Sequence, residues 1–338
     1  MRAIEIEQDL AGTAIPVLDL ESYRSGEAGA VERLGRQLYA ACTQVGFYYI
    51  RNHGVPRALT VELFRQSQRF HALSLEEKNR VRVNANKIGY LAHATSYTRH
   101  AGALADGRKP NLNASFVLRR ELRPDDPDVL AGKPFTGLNQ WPDHLPGFRE
   151  GCVAYLAAME NFGRSLLPIY SAALGMPPDF FAGAFRKPTV SFRLLHYPSQ
   201  GEPDGEQFGL APHADNGFIT ILAQSEIPGL AIRTADGRWV AAPALDDHFL
   251  INTGDLLRRW TNDRFLSTPH MVINQAGVER YSAPYFFHPN LDTLIECLPT
   301  CVAPGEQPRH PPVLFLDHYR SFVSKNYPTV TSAAAAAA

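Results

Sequence analysis

Three short pieces of the chain carry residue types that could do chemistry together: His213-Ala214-Asp215, His270, and Arg280-Tyr281-Ser282. Residues two apart on a strand share a face, so a strand here would aim the His213 imidazole and the Asp215 carboxylate at one point. His270 lies far enough downstream for the chain to cross a small barrel and return a third ligand from another strand. Two neutral imidazoles and one carboxylate on one side of a metal leave the opposite positions open, the facial set that suits a mononuclear Fe(II) centre handling oxygen. The single ligand charge leaves the ion with residual positive charge for an anionic co-substrate. Arg280 and Ser282, again two apart, would present a planar fork of donors and a hydroxyl to one inward face, which suits a buried carboxylate.

Taken singly, each piece has a plainer reading. A His-x-Asp pair commonly serves a turn, His270 after Thr268-Pro269 could be a loop histidine, and Arg280 could be a surface charge. The order and the setting raise their joint weight. Alternating apolar sequence follows the first pair (Phe218-Ile219-Thr220-Ile221-Leu222) and the last (Ala283-Pro284-Tyr285-Phe286-Phe287).

The elements that must position these residues follow from periodicity. Val31, Leu34, Leu38, Cys42 and Val45 recur at helical steps, predicting a helix over 30–45. Phe47-Tyr48-Tyr49-Ile50 predicts a strand, and Pro56 opens a further helix carrying Leu59, Leu63, Phe64 and Phe70. Ser74 and Glu77 fit a capping box. Residues 84–147 are rich in turn formers and predict loops with short strands. The apolar stripe from Val153 to Tyr170, ended by Gly175 and Pro177, predicts one long support helix over 148–176, and that stripe is core packing.

From about 188 the period shifts to two. Strands are predicted at 189–197, 218–223, 230–233, 239–240, 248–252, 270–274 and 280–287, separated by turns such as Pro228-Gly229, Asp236-Gly237 and Asn262-Asp263. Seven or eight short antiparallel strands suggest a double-sheet jelly roll. On the first of them Arg193, Leu195 and Tyr197 share a face, so the Tyr197 hydroxyl could reach the acid pocket.

Composition limits the function classes. Lys plus Arg number 33 against 34 Asp plus Glu, and a formal charge of −1 gives no reason to expect nucleic acid or an acidic membrane. A chain of 338 residues with 45% apolar content can bury a full core. Cys42, Cys152, Cys297 and Cys301 are too few and scattered for a disulfide framework, and C-x-x-x-C alone makes a poor zinc site. With no signal sequence and no long apolar run, a cytoplasmic enzyme is expected, its oligomeric state left open and compatible with a monomer. The six closing alanines, 333–338, are set aside as a tail.

The same residues carry a family resemblance. HADNGFITIL, FLINTGDLL, STPH and ERYSAPYFF, preceded by IPVLDL, GFYYIRNHGVP, FHALSLEEK, GYLA and NQWP, resemble the Fe(II)/2-oxoglutarate-dependent dioxygenase superfamily, in the branch containing isopenicillin N synthase and the plant hormone and flavonoid oxygenases. The resemblance spans most of the chain. It implies a mainly β fold with flanking helices: an N-terminal dioxygenase region (14–125), the support helix, a double-stranded β-helix core (188–290) and a C-terminal segment (291–328). It also implies Fe(II) on His213, Asp215 and His270, and 2-oxoglutarate with its far carboxylate on Arg280 and Ser282. Oxygen would then oxidise a small-molecule substrate by hydroxylation or desaturation, with succinate and carbon dioxide as co-products.

Departures from the pattern stand at Leu195, where relatives often have asparagine, at Met271, where a basic residue is common, and at Asn111, Asn113 and Phe116, where the segment is usually more acidic. Asn252-Thr253-Gly254-Asp255 resembles a structural turn of the family, with Gly254 expected at a positive backbone angle. Two other readings stay open here. One is an isopenicillin N synthase-like oxidase that needs no 2-oxoglutarate and grips a substrate carboxylate with Arg280 and Ser282. The other is a catalytically silent jelly-roll binding protein.

Overall fold

The computed structural model describes residues 6–7, 15–96, 109–199, 207–274 and 277–326. Residues 14, 327–328 and the alanines 333–338 lie outside the described residues. The strands of the two main sheets are β1 (Ile6–Glu7), β2 (Val17–Asp19), β3 (Phe47–Arg51), β4 (Gly89–Leu91), β5 (Ala114–Arg119), β6 (Thr189–Tyr197), β7 (Leu210–His213), β8 (Ile219–Gln224), β9 (Leu230–Arg233), β10 (Trp239–Ala241), β11 (Phe249–Thr253), β12 (His270–Val272) and β13 (Arg280–His288). The helices are α1 (Glu21–Arg24), α2 (Ala30–Gln44), α3 (Arg57–His71), α4 (Leu75–Arg80), α5 (Pro127–Leu130), α6 (Phe148–Ala173), α7 (Asp255–Trp260) and α8 (Phe315–Asn326).

The larger sheet runs β2-β3-β11-β8-β13-β6-β5-β4, and the smaller runs β1-β10-β9-β12-β7. Strands β6, β8, β11 and β13 of the first face β7, β9, β10 and β12 of the second, and neighbours within each set pair antiparallel. This is the double-stranded β-helix with flanking helices that periodicity and resemblance both imply. Four strands of the larger sheet, β2 to β5, come from the N-terminal region, so that region extends the core sheet directly.

Alternation along β13 explains both faces of the larger sheet. Ala283, Tyr285 and Phe287 turn to the helices and join the main apolar core, whereas Arg280, Ser282, Pro284, Phe286 and His288 turn to the cavity between the sheets. Helix α6 supports the outer face through Tyr155, Met159, Phe162, Leu166 and Tyr170, all buried. Full burial of a large apolar side chain contributes about 1.5–3 kcal/mol, so this stripe is a main source of local stability. The Tyr48 and Tyr170 hydroxyls, 2.6 Å apart, tie β3 to α6. The predicted capping box is present: the Ser74 hydroxyl accepts from the Glu77 amide at 3.2 Å, and the Glu77 carboxylate accepts from the Ser74 amide at 3.0 Å.

One expectation about local structure is corrected. His213 and Asp215 do not share a strand: β7 ends at His213, and Asp215 sits in the connection that follows. The start of α7 captures that connection, because the Asp255 amide donates to the Asp215 carbonyl at 2.7 Å and the Leu256 amide to the Asn216 and Gly217 carbonyls. The chain therefore leaves the sheet after His213 and is anchored by a helix start.

Candidate active site

Strand pairing brings the two histidines together, since His270 of β12 stands opposite His213 of β7 in the antiparallel register. Their ring centroids lie 4.2 Å apart. The Asp215 Oδ1 is 3.7 Å from His213 Nε2 and 3.8 Å from His270 Nε2, and one ligand atom from each residue falls within 4.8 Å of the others. Asp215 and His270 are buried and His213 is half-buried.

The remaining polar atoms of the triad are committed elsewhere. His213 Nδ1 lies 2.9 Å from the Ala211 carbonyl and His270 Nδ1 lies 3.2 Å from the Thr268 carbonyl. A carbonyl can only accept, so each Nδ1 carries the proton and each Nε2 offers a lone pair. Asp215 Oδ2 accepts from the Thr220 hydroxyl at 2.5 Å and the Asn252 amide at 2.8 Å, and Oδ1 is the oxygen turned towards the two imidazole Nε2 atoms. Burial pushes the Asp215 carboxyl up, but the His270 and His213 rings with the Thr220 and Asn252 bonds outweigh it and hold it below the usual carboxylate range. Phe47 of β3 closes the back of the site, its ring edge-on to His270 at 5.3 Å.

Asn252 is therefore more than a turn residue. Gly254 is also corrected, because its backbone is extended (φ −115°, ψ 177°) and not in the left-handed region. Close approach is what requires glycine there: a Cβ would stand 2.8 Å from the Asp215 carbonyl oxygen and the Gly217 nitrogen, and press on the Gly217 carbonyl.

The second cluster lies at the other end of β13. Arg280 pairs in register with Tyr197 of β6, and Ser282 pairs with Leu195 and with Gln224 of β8. All of Arg280, Ser282 and Tyr197 are buried. Arg280 Nε donates to the Ile227 carbonyl at 3.2 Å and Nη2 to Gln224 Oε1 at 3.0 Å, while Nη1 is buried with no hydrogen-bond partner among the described residues. Burial lowers the pKa of the guanidinium, with Tyr197 beside it pulling the other way. Burial raises the Tyr197 phenol, with Arg280 and Ser282 beside it pulling the other way. The guanidinium lies 5.0 Å from the Tyr197 ring centroid.

Both clusters open on one cavity of about 660 Å³. The Leu195 and Met271 departures fill apolar clusters: Leu195 packs with Tyr197 and Val272, and Met271 packs with Ala231 and Trp239 behind the distal histidine. Asn111 and Asn113 brace the start of β7, Asn111 Oδ1 accepting from the Ala211 amide and Asn113 Nδ2 donating to the Gly209 carbonyl. Helix α8 covers the mouth with Tyr319 and Phe322, and His318 meets the Asn216 carbonyl at 3.1 Å.

Sequence reasoning brings the six named residues to this cavity and misses Thr220, Gln224 and Phe47. Thr220 carried a readable signal, as a polar residue at the inward position of an alternating strand. Gln224 and Phe47 had none.

The two donor sets fit the groups that the resemblance implied. Three atoms of the right kind converge with their orientation fixed, and Arg280 Nη1, buried with no hydrogen-bond partner among the described residues, is a donor that suits an anion. Residues 15–144 match the family described as non-haem dioxygenase in morphine synthesis N-terminal, and residues 188–289 match the 2OG-Fe(II) oxygenase superfamily. The chain is 34% identical over 326 residues to the 2-oxoglutarate-Fe(II) type oxidoreductase hxnY of Emericella nidulans, covering 94% of this chain and 92% of that one. It is 31% identical to the isopenicillin N synthase of Amycolatopsis lactamdurans, covering 83% and 87%. The crystal structure of a 2OG-Fe(II) oxygenase family protein from Caulobacter crescentus shares the fold, with a TM-score of 0.78 at 26% identity over 92% of this chain and 99% of that one. No helix among the described residues is long and apolar enough to cross a membrane. Matched along both halves, the chain belongs to the 2OG-Fe(II) oxygenase superfamily and is an Fe(II)- and 2-oxoglutarate-dependent oxidoreductase.

Proposed function

We propose that His213, Asp215 and His270 hold the Fe(II), that Arg280, Ser282 and Tyr197 receive the C5 carboxylate of 2-oxoglutarate, and that a small organic substrate is hydroxylated or desaturated in the space beside them. The observation that carries this reading is the convergence of three ligand atoms within 4.8 Å, each on a side chain whose other polar atom is already committed. When bound, the iron supplies oxygen activation coupled to oxidative decarboxylation of 2-oxoglutarate to succinate and carbon dioxide.

The chain's own residues do the rest. The Ala211 and Thr268 carbonyls hold both imidazoles in the tautomer that presents Nε2, and Thr220 with Asn252 keeps Asp215 from rotating. Arg280 Nη1 and the Ser282 hydroxyl offer donors to a carboxylate at the buried end, where low dielectric strengthens the pairing. Helix α8 and Phe47 limit water around the site.

The same reading takes 14–125 as the N-terminal region, 148–176 as the support helix, 188–290 as the catalytic core and 291–328 as the closing segment. All site residues come from one chain, so a monomer suffices. Four free cysteines suit a reducing compartment, and we place the enzyme in the cytoplasm. The test is an anaerobic Fe(II) titration with and without 2-oxoglutarate. A metal-to-ligand charge-transfer band that needs both is expected, followed by oxygen-dependent succinate release. A band absent from the wild-type protein would remove 2-oxoglutarate from the site.

A further inference from the structure

Strand β8 carries an inward polar residue towards each end of the cavity. Thr220 bonds Asp215 at the metal end, and Gln224, four residues on, bonds Arg280 at the acid pocket. Period-two alternation puts both on the face they share with Leu222, about 13 Å apart at ~3.3 Å per residue. What Gln224 does there follows from its bonds. Its Nε2 donates to the Ala242 carbonyl at 3.3 Å, just past the end of β10 in the smaller sheet, and its Oε1 accepts from Arg280 Nη2 at 3.0 Å. A carbonyl only accepts and a guanidinium only donates, so this amide has a single orientation. Arg280 Nε donates to the Ile227 carbonyl, in the connection after β8. The Nε and Nη2 side of the guanidinium is therefore held by two neutral oxygens, and Nη1 is the nitrogen left to face an anion.

The neutrality of those partners matters. No ion pair joins Arg280 to a carboxylate among the described residues, and the ring beside it belongs to Tyr197. A carboxylate in place of the Gln224 amide would make a charge-assisted pair with the same nitrogen and satisfy the guanidinium from within the fold. A neutral amide fixes the planar fork and leaves its charge for a ligand. We propose that Gln224 is a positioning residue for the co-substrate: it turns Arg280 so that Nη1 meets the C5 carboxylate and, being uncharged, keeps that arginine selective for a 2-oxo acid with a second carboxylate. This deepens the function proposed above and rests on it.

The test compares 2-oxoglutarate with 2-oxopentanoate, which has the same chain and the same chelating end but no C5 carboxylate. Each is titrated anaerobically into the Fe(II)-loaded protein, and the ratio of the two affinities reads the acid pocket alone. Gln224→Met, which keeps the length and removes both bonds, should shrink the wild-type ratio about threefold to tenfold, the range of one hydrogen bond. Gln224→Glu should shrink it further, by more than about tenfold, because its carboxylate competes for Arg280. Affinities for 2-oxopentanoate and for Fe(II) should stay at the wild-type values in both variants, which a general loss of structure would not allow.

The proposal is overturned if both variants keep the wild-type ratio, or if Gln224→Glu shrinks it no more than Gln224→Met. It is also overturned if 2-oxopentanoate affinity falls in step with 2-oxoglutarate affinity, which would make Gln224 a general support of the cavity. Were Gln224→Met to lose Fe(II) binding through misfolding, Gln224→Glu decides by the same ratio. A wild-type protein that binds both acids equally would remove Arg280 from its assigned role, sinking the function above and this inference with it. A wild-type preference that survives both substitutions sinks the role of Gln224 alone.

Discussion

The two ends of the cavity are built on opposite principles. At the triad every polar atom other than the ligand atoms has a partner: two backbone carbonyls, a threonine hydroxyl and an asparagine amide. At the acid pocket the arginine is buried with one nitrogen unpartnered among the described residues. The first end is preorganised and stable before anything binds. The second carries a desolvation cost that the Ile227 carbonyl, Gln224 and Tyr197 offset in part and that an anion would relieve further. On the proposed assignment, a metal would meet side chains already oriented, while the co-substrate would meet a buried cation with a donor to spare among the described residues.

The largest expected effect comes from removing a ligand. Asp215→Ala should weaken Fe(II) binding by more than about 100-fold, beyond the loss typical of supporting residues, as read by anaerobic titration; near wild-type affinity would break the metal end of the comparison. Arg280→Ala should cost roughly 2–5 kcal/mol in 2-oxoglutarate binding, about 30-fold or more, while leaving Fe(II) affinity intact. Equal losses of both ligands would mean that the two ends are not separable.

Thr220→Val and Asn252→Leu each remove one bond to Asp215 Oδ2 and should reduce Fe(II) affinity by about tenfold or more. Their 2-oxoglutarate-independent stability should change little, which a denaturant titration of the metal-free protein would check. Gly254→Ala should act on the same end by displacing the connection that carries Asp215, with loss of Fe(II) affinity as the readout.

A separate test reads two buried histidines outside the triad. Burial drives His71 and His288 down to about 3, so both stay neutral in the folded protein where the unfolded chain already takes up protons. The unfolded state then binds more protons between the ordinary histidine value near 6.5 and about 3, and stability should fall as pH drops through that window. Denaturant midpoints at descending pH would show this. A His71→Gln variant whose midpoint fell as steeply as the wild-type protein's would refute the share assigned to His71.

Much of this was legible in the chain because the signals are local. The period-two face of β13 predicted that Arg280 and Ser282 look the same way, and the helical stripe of α6 marked the element that supports the sheet. The jelly roll followed from strand count and turn chemistry. The His213-Ala214-Asp215 spacing pointed to two residues that do converge with His270, but through a wrong local picture, since Asp215 reaches the cavity from a connection held by the start of α7. Gly254 was likewise the right residue for another reason, steric approach in place of backbone angle.

By itself the sequence determined which side chains could bind metal and acid, the periodicity of the elements that carry them, and the family. Tertiary structure decided what those side chains could not encode alone. The His270–His213 register set the two imidazoles beside each other, and Thr220 and Asn252 from two other strands hold the Oδ2 of Asp215. The N-terminal strand β3 brought Phe47 to the distal histidine. These relations depend on long-range pairing across sheets, where the hydrogen-bond register and not the local residue pattern fixes which atoms meet.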